Sequence, residues 1–511
     1  MKRLSIIVAF FLMLCAVNAY AQHEYQFLGV NTQLWSDANN WADGVKPDQE
    51  EAIVFLLSSV LVDEDVIVKN LVYDASEVSV TVAAGCKLTV YGLILPFEEQ
   101  SLAQKLIVED GAQLLYGHSV EASVRMKCSP YHNTKESAAW HFIASPLASP
   151  ITPAALDSLT PEQVNYELMR FNQSDVGNEW ERYKDEAFQD SFQLANGQGY
   201  LYAIGSEVTV SFVGEILPND QPVSVGLEYD GASAVVAKGL NLVGNPFTCE
   251  AYSNRSYYKM NVDGDDVELV RASANEPIAP STGMMVQAYA TGQSVGFSRT
   301  PYYDDKGCIR LTLKSNGEIV DETFLSFNEG DEIGKFNFVA HEANLYFQQN
   351  GRSLAIGFAE LPCQKAVHFK ASENGNFTLT VTPENANITS LYLVDNITGA
   401  DINLLASPSY SFSASTSDFV SRFKLFVNTD HGVGESHEEQ AFAYYSNGEI
   451  VLQDMEGETV LEIIDMTGRV ILRKNALNAS QTIPTGRMAS GIYILRLTEG
   501  RAVRTQKMVV W

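Results

Sequence analysis

Short runs of alternating apolar and polar residues recur along almost the whole chain, which is the period of a half-buried β-strand. Val, Ile, Leu, Tyr and Phe fill the runs, and Gly, Asn and Asp punctuate them. Asn316-Gly317, Asn350-Gly351, Asn374-Gly375 and Asn447-Gly448 read as hairpin turns, because both residue types tolerate positive φ. Helical period is scarce. The clearest candidate is Thr160–Leu168, with Thr160 as cap and Pro161 at the first helical position. The pattern predicts a mainly β, multidomain protein.

The runs sort into regions. Residues 22–125 carry short strands at a loose repeat, with Ala84-Gly85 and Asp110-Gly111-Ala112 at comparable places. That rhythm predicts a β-solenoid whose stacked rungs share one core; an ordinary β-sandwich is the competing reading. Residues 126–305 contain an apparent duplication. Trp140–Leu147 matches Leu240–Phe247, each an apolar strand closed by a polar-Pro turn. Gly197–Ala203 then parallels Ser281–Ala288, and Val208–Phe212 parallels Ser294–Phe297. Residues 306–430 alternate as two facing sheets of a β-sandwich would. Residues 431–442 are polar, lack apolar period and read as a linker. Residues 443–511 form a last compact set of strands, expected as an Ig-like sandwich.

The first residues read differently. Lys2 and Arg3 precede the apolar run Ile6–Leu14, which is too short to span a membrane, and Ala19-Tyr20-Ala21 follows. This is the layout of a signal peptide over residues 1–21, with Ala19 and Ala21 as the small residues at the cleavage positions and Gln22 as the first mature residue. An exported protein follows.

Charge and cysteine content narrow the classes. A formal net charge of -29 over 511 residues excludes a phosphate-binding face and with it nucleic acid as a partner. Acidic turns at Asp263–Asp266 and Asp304-Asp305 are where calcium would bind, though neither has the full ligand spacing of a calcium loop. Cys86, Cys128, Cys249, Cys308 and Cys363 are scattered, with no CxxC pair, so a zinc ribbon is not indicated. Removal of the signal segment, which carries Cys15, leaves these five, an odd number with at least one thiol unpaired.

Residues 443–511 add an address. Asp465-x-x-Gly468-Arg469, then Gly491-Ile492-Tyr493, then a Lys507-led apolar tail resemble the C-terminal sorting domain (type A-like) of type IX secretion cargo in Bacteroidetes. The resemblance implies recognition by the type IX secretion machinery, passage across the outer membrane, and in many relatives attachment to surface lipopolysaccharide. The Trp-Ser-x-x-x-Asn-Trp opening at Trp35–Trp41 resembles the start of surface β-helix proteins from the same bacteria.

Catalytic motifs do not emerge. GxSxG, HExxH, P-loop and dinucleotide fingerprints are missing from the sequence, and the eight histidines are dispersed. A glycosidase carboxylate pair leaves no local spacing and stays open. Trp180, Tyr183, Tyr257 and Tyr258 sit in polar surroundings, where exposed rings would stack on sugars; buried loop anchors are the plainer reading. The sequence therefore predicts a secreted or surface β protein with an adhesive or structural role. A carbohydrate-binding module is the alternative, and a glycan-active hydrolase the third.

Overall fold

The computed structural model describes residues 24–428 and 443–510, apart from 48, 131–139, 157–158, 164, 232–237, 264–265, 336–342, 350, 447–448, 454–458, 466–468, 476–479, 485–487, 489–490 and 500–501. The expected signal segment, with Ala19, Ala21 and Gln22, and the expected linker 431–442 lie outside the described residues. The fold is almost entirely β, in two compact units, Met1–Tyr302 and Tyr303–Trp511.

The first unit begins with β1 (Glu24–Phe27), β2 (Ile53–Leu56), β3 (Val60–Val62), β4 (Val66–Val68), β5 (Asn70–Tyr73), β6 (Val80–Val82), β7 (Lys87–Val90), β8 (Ile94–Leu95), β9 (Leu106–Val108), β10 (Gln113–Tyr116) and β11 (Val120–Cys128). They pair in parallel into three sheets, ordered β1-β2-β5-β8, β4-β7-β10 and β3-β6-β9-β11. The complete rungs β2-β3-β4, β5-β6-β7 and β8-β9-β10 each contribute one strand to each sheet, so this is a β-solenoid. Its core is built from in-register columns: Val54–Leu71–Ile94, Val66–Leu88–Leu114 and Val62–Val82–Val108–Val124, all buried. Burying each such side chain is worth about 1.5–3 kcal/mol.

A solenoid leaves unpaired rungs at its ends. The Trp35–Trp41 segment covers the first. Trp41 packs edge-on against both Trp35 and Phe27, at 4.7 and 5.1 Å between ring centres. Its indole N–H donates to the Trp35 carbonyl at 3.0 Å. Asn40, fully buried, accepts from the Asn31 and Thr32 amides and donates to Thr32 Oγ1 and the Leu34 carbonyl. The sequence motif is thus a plug. At the other end, β11 passes from its parallel partner β9 to a nine-residue antiparallel pairing with a later strand, Val208–Ile216.

That later strand belongs to the duplicated region: β12 (His141–Ala144), β13 (Tyr166–Phe171), β14 (Trp180–Arg182), β15 (Gly199–Ile204), β16 (Val208–Ile216), β17 (Val223–Gly226), β18 (Leu240–Gly244), β19 (Tyr252–Ser253), β20 (Tyr257–Asp263), β21 (Asp266–Ala272), β22 (Gly283–Gln287) and β23 (Ser294–Ser298). The first copy has sheet order β12-β15-β13-β14, the second β18-β22-β20-β21. The repeat also takes in β11 and β17, which pair antiparallel with β16 and β23. The helix expected over Thr160–Leu168 is instead a turn followed by β13. Pairing of Tyr166 and Leu168 with β15, which buries both, outweighs the local helix signal.

The second unit opens with β24 (Cys308–Ser315), β25 (Glu318–Ser326), β26 (Ile333–Gly334), β27 (Asn344–Gln349), β28 (Arg352–Phe358), β29 (Cys363–Lys370), β30 (Gly375–Glu384), β31 (Leu391–Asp395), β32 (Asp401–Asn403), β33 (Ser409–Ala414) and β34 (Phe423–Val427). Two separate sheets were expected here. One continuous sheet forms, ordered β32-β31-β34-β29-β27-β28-β25-β24-β30-β33 with β26 beside β28, and it curls round a single core. Its ends meet through side chains. Tyr410 on β33 donates to Asp395 on β31 at 3.0 Å, and Arg422 donates to both Asp395 (2.8 Å) and the Ser413 carbonyl. Arg422 and Asp395 are fully buried, and the guanidinium lies 4.3 Å from the centre of the Phe412 ring. Every donor used here has a paired acceptor, which is what a buried ion pair requires.

The last strands are β35 (Ala443–Ser446), β36 (Glu449–Gln453), β37 (Thr459–Asp465), β38 (Val470–Asn475), β39 (Ser480–Pro484), β40 (Gly491–Glu499) and β41 (Ala502–Val510). They form sheets β35-β36-β39 and β38-β37-β40-β41 over one core that includes Ile450, Leu452, Leu461, Ile463, Ile483, Leu495 and Leu497.

Candidate functional site

The sorting-motif residues gather at one end of the sheet β38-β37-β40-β41. Asp465 ends β37 and is the register partner of Tyr493 on β40, which in turn faces Met508 on β41. Gly491 pairs with Val510 and Lys507 with Ile494. The turn from β37 to β38 is closed twice by one residue pair. The Asp465 amide donates to the Arg469 carbonyl at 2.9 Å, and the Arg469 amide and Nε each donate to the Asp465 carboxylate at 3.1 Å. Gly468, inside this turn, lies outside the described residues. Tyr493 is buried, while Ile492 and Ile494 on either side of it are exposed, together with Val470. Alternation along β40 therefore presents an apolar outer face beside a guanidinium held in place.

The aromatic candidates divide by burial. Tyr183, Tyr257 and Tyr258 are buried, so none offers an open ring face to a sugar. Tyr183 packs on Phe192 at 5.4 Å, and Tyr257 donates to the Glu276 carbonyl at 3.1 Å. They are anchors, the plainer of the two readings. Trp180 is half-buried and packs edge-on to Phe171 at 5.0 Å.

Phe171 leads to a cavity that no sequence signal marked. It has a volume of about 440 Å³ and lies between the two copies of the repeat. The first copy supplies Arg170, Phe171, Asn172, Gln173, Glu181 and the Ala195–Gln198 loop; the second supplies Val225, Gly226, Glu228 and Leu240–Val243. Arg170 Nε donates to Glu181 at 2.5 Å, and its other nitrogens reach the Ser191 carbonyl and hydroxyl. Asn172 donates to the second Glu181 oxygen at 2.7 Å. Glu181 is only 4% exposed. Gln173 stitches the copies together, donating to the Glu228 and Leu240 carbonyls and accepting from the Asp230 and Gly239 amides.

The copies meet reciprocally. Ile143 bridges to Thr282, and Val243, its counterpart, bridges to Gln198. The Ala144 amide donates to the Ser281 carbonyl, and the Gly244 amide to that of Gly197. Both bonds join equivalent positions, so the repeat has a local two-fold axis. Glycines let the backbones approach there: a Cβ on Gly244 would strike the Ala144 methyl, and one on Gly199 the Val243 carbonyl.

Elsewhere the candidate chemistry disperses. Among the described residues, no three His, Cys, Asp or Glu side chains come together to hold a metal. Asp305 accepts from the Gly307 amide and from Asn328 and Asn385, while the expected acidic turn at Asp263–Asp266 takes in residues 264–265, which lie outside the described residues. Among the described residues, Cys86, Cys128, Cys249, Cys308 and Cys363 are not joined by disulfides. Burial pushes Cys249 and Cys308 up to about 12 and Cys363 up to about 11, which suppresses thiolate chemistry.

The family model described as a secretion system C-terminal sorting domain matches residues 446–511. The chain carries a type IX secretion sorting signal over these residues. It is therefore an exported protein, secreted or at the surface, whose tail engages the type IX secretion machinery. No curated protein matches the chain. A solved structure titled "Biofilm associated protein - BSP domain" aligns at 9% identity and a TM-score of 0.14, over 78% of this chain. The chain spans 66% of that protein's length, and at this TM-score the likeness carries no argument about fold.

Proposed function

We propose that this is a non-enzymatic protein of a Bacteroidetes bacterium, displayed at the outer surface and acting in adhesion or as a structural component. The sorting tail carries the reading. Residues 443–510 have a core of their own, and their motif residues sit at one sheet end around the Asp465–Arg469 turn. A signal peptide would take the chain across the first membrane and the tail across the second. Removal of the tail and attachment to surface lipopolysaccharide complete the proposal. A stacked solenoid and a curled sheet, each packed on its own apolar core, suit a display scaffold.

Deleting residues 443–511 in the native host tests this. Surface labelling and protease accessibility on intact cells should fall to background while the protein accumulates in the periplasm. Unchanged display would refute it. A surface carbohydrate-binding module is the second reading, favoured by the polar cavity between the copies.

A further inference from the structure

The duplicated repeat contains its own control experiment. Gly199 and Gly283 are equivalent, so Leu201 and Met285, two residues beyond them, are equivalent too. Their register partners, Met169 and Tyr258, align β13 with β20. Lys259 then stands at the place of Arg170, Met260 at that of Phe171, and Val270 at that of Glu181. The second copy builds the same sheet with an apolar residue where the first buries a carboxylate. Lys259 instead pairs at the surface with Glu276. The fold does not require the Arg170–Glu181 pair, and a buried ion pair seldom adds stability over apolar packing. Its place on the cavity wall is what distinguishes the first copy.

We propose that this cavity is a binding site for a neutral saccharide. The proposal rests on the surface-display reading, under which the protein meets external glycans. The chemistry of the wall supports it. Arg170 and Glu181 cancel each other's charge, so the pair gives no net attraction to an ion. Glu228 at the wall adds a negative charge, which disfavours anionic ligands. Tyr200 donates its hydroxyl to the Gln193 carbonyl at 2.6 Å and lies 2.9 Å from the Gln198 amide, which brings one donor and one acceptor group to the wall. Asn196 spends its NH2 on the Ser145 and Pro246 carbonyls and keeps its oxygen as an acceptor. Glu181 holds further lone pairs in a fixed position. Sugar hydroxyls both donate and accept, which matches this mixture. Phe171 provides the apolar surface that a ring's C–H face needs. The volume falls in the usual range for small-molecule sites, about 300–1,000 Å³. Glu181, held as an acceptor by Arg170 and Asn172, suits ligand binding better than proton donation to a leaving group.

The test uses the purified full chain, so its outcome is independent of export. Neutral oligosaccharides of glucose, galactose and mannose are screened on an array, and the hit is titrated by calorimetry. Gln198→Ala and Glu181→Gln should each weaken binding at least tenfold. Lys259→Ala, in the second copy, should leave it unchanged. A thermal melt of Gln198→Ala matching the parent would show that the loss is local. The proposal is overturned if none of these saccharides binds, if binding survives both cavity substitutions, or if reducing ends are released from the bound glycan. Failure here leaves the deletion experiment on residues 443–511 unaffected, so the two readings fail separately.

Discussion

The two copies of the repeat share strand order, pairing partners and a reciprocal contact at their axis, yet they differ in what they bury. The first copy places Glu181 against Arg170 beside a polar cavity, whereas the second places Val270 opposite Lys259 and sends the lysine out to Glu276. Scaffold and chemistry are therefore separable within one fold. What both copies keep, the glycine at Gly199 and Gly283 and the matching strand orders β12-β15-β13-β14 and β18-β22-β20-β21, specifies the architecture. What only one copy keeps is the candidate for function.

Four variants sharpen that division. Glu181→Ala strands Arg170 in a largely buried position and should cost about 3 kcal/mol in denaturant unfolding; a cost below about 1 kcal/mol would mean that the pair is solvated. Gly199→Ala forces a methyl into the Val243 carbonyl and the Leu242 side chain and should cost roughly 1–3 kcal/mol. A neutral result would show that the axis can relax. The double variant Arg170→Leu with Glu181→Val replaces the charged pair of the first copy by apolar residues. Its stability should stay within about 1 kcal/mol of the parent while saccharide binding disappears. Lys259→Ala removes an exposed pair and should cost at most about 1 kcal/mol. A larger cost there would break the contrast, because the second copy would then depend on its charge as well.

Much of this fold was legible in the sequence because strand period and turn residues are local. The repeating valines of the solenoid and the Pro-terminated phrases at Pro146 and Pro246 could be found by pattern alone. Other features depend on partners far apart in sequence. β11 and β17 belong to the repeat by topology and share no phrase. Arg422 finds Asp395 across 27 positions, and with Tyr410 it turns the expected two sheets into one curled sheet. The helix reading at Thr160–Leu168 fails because β15 claims Tyr166 and Leu168. Tyr183, Tyr257 and Tyr258 have polar sequence neighbours, yet all three are buried, as the plainer of the two readings expects. The cavity had no sequence signal, since its wall comes from five segments spread between Arg170 and Val243. The aligned phrases of the two copies offered one clue: with the register in hand, the charged pair stands out against an apolar counterpart.

The tail stands apart from this contrast. Its motif residues are close in sequence and also close at one sheet end, so pattern and geometry agree there. The central claim is that residues 443–511 are an address independent of the body they follow. The most direct measurement transplants them onto a signal-peptide-bearing periplasmic reporter in the native host and reads reporter activity on intact cells. The account predicts that the reporter reaches the cell exterior and that Asp465→Ala with Arg469→Ala returns it to the periplasm. A reporter that stays periplasmic with the intact tail would contradict it.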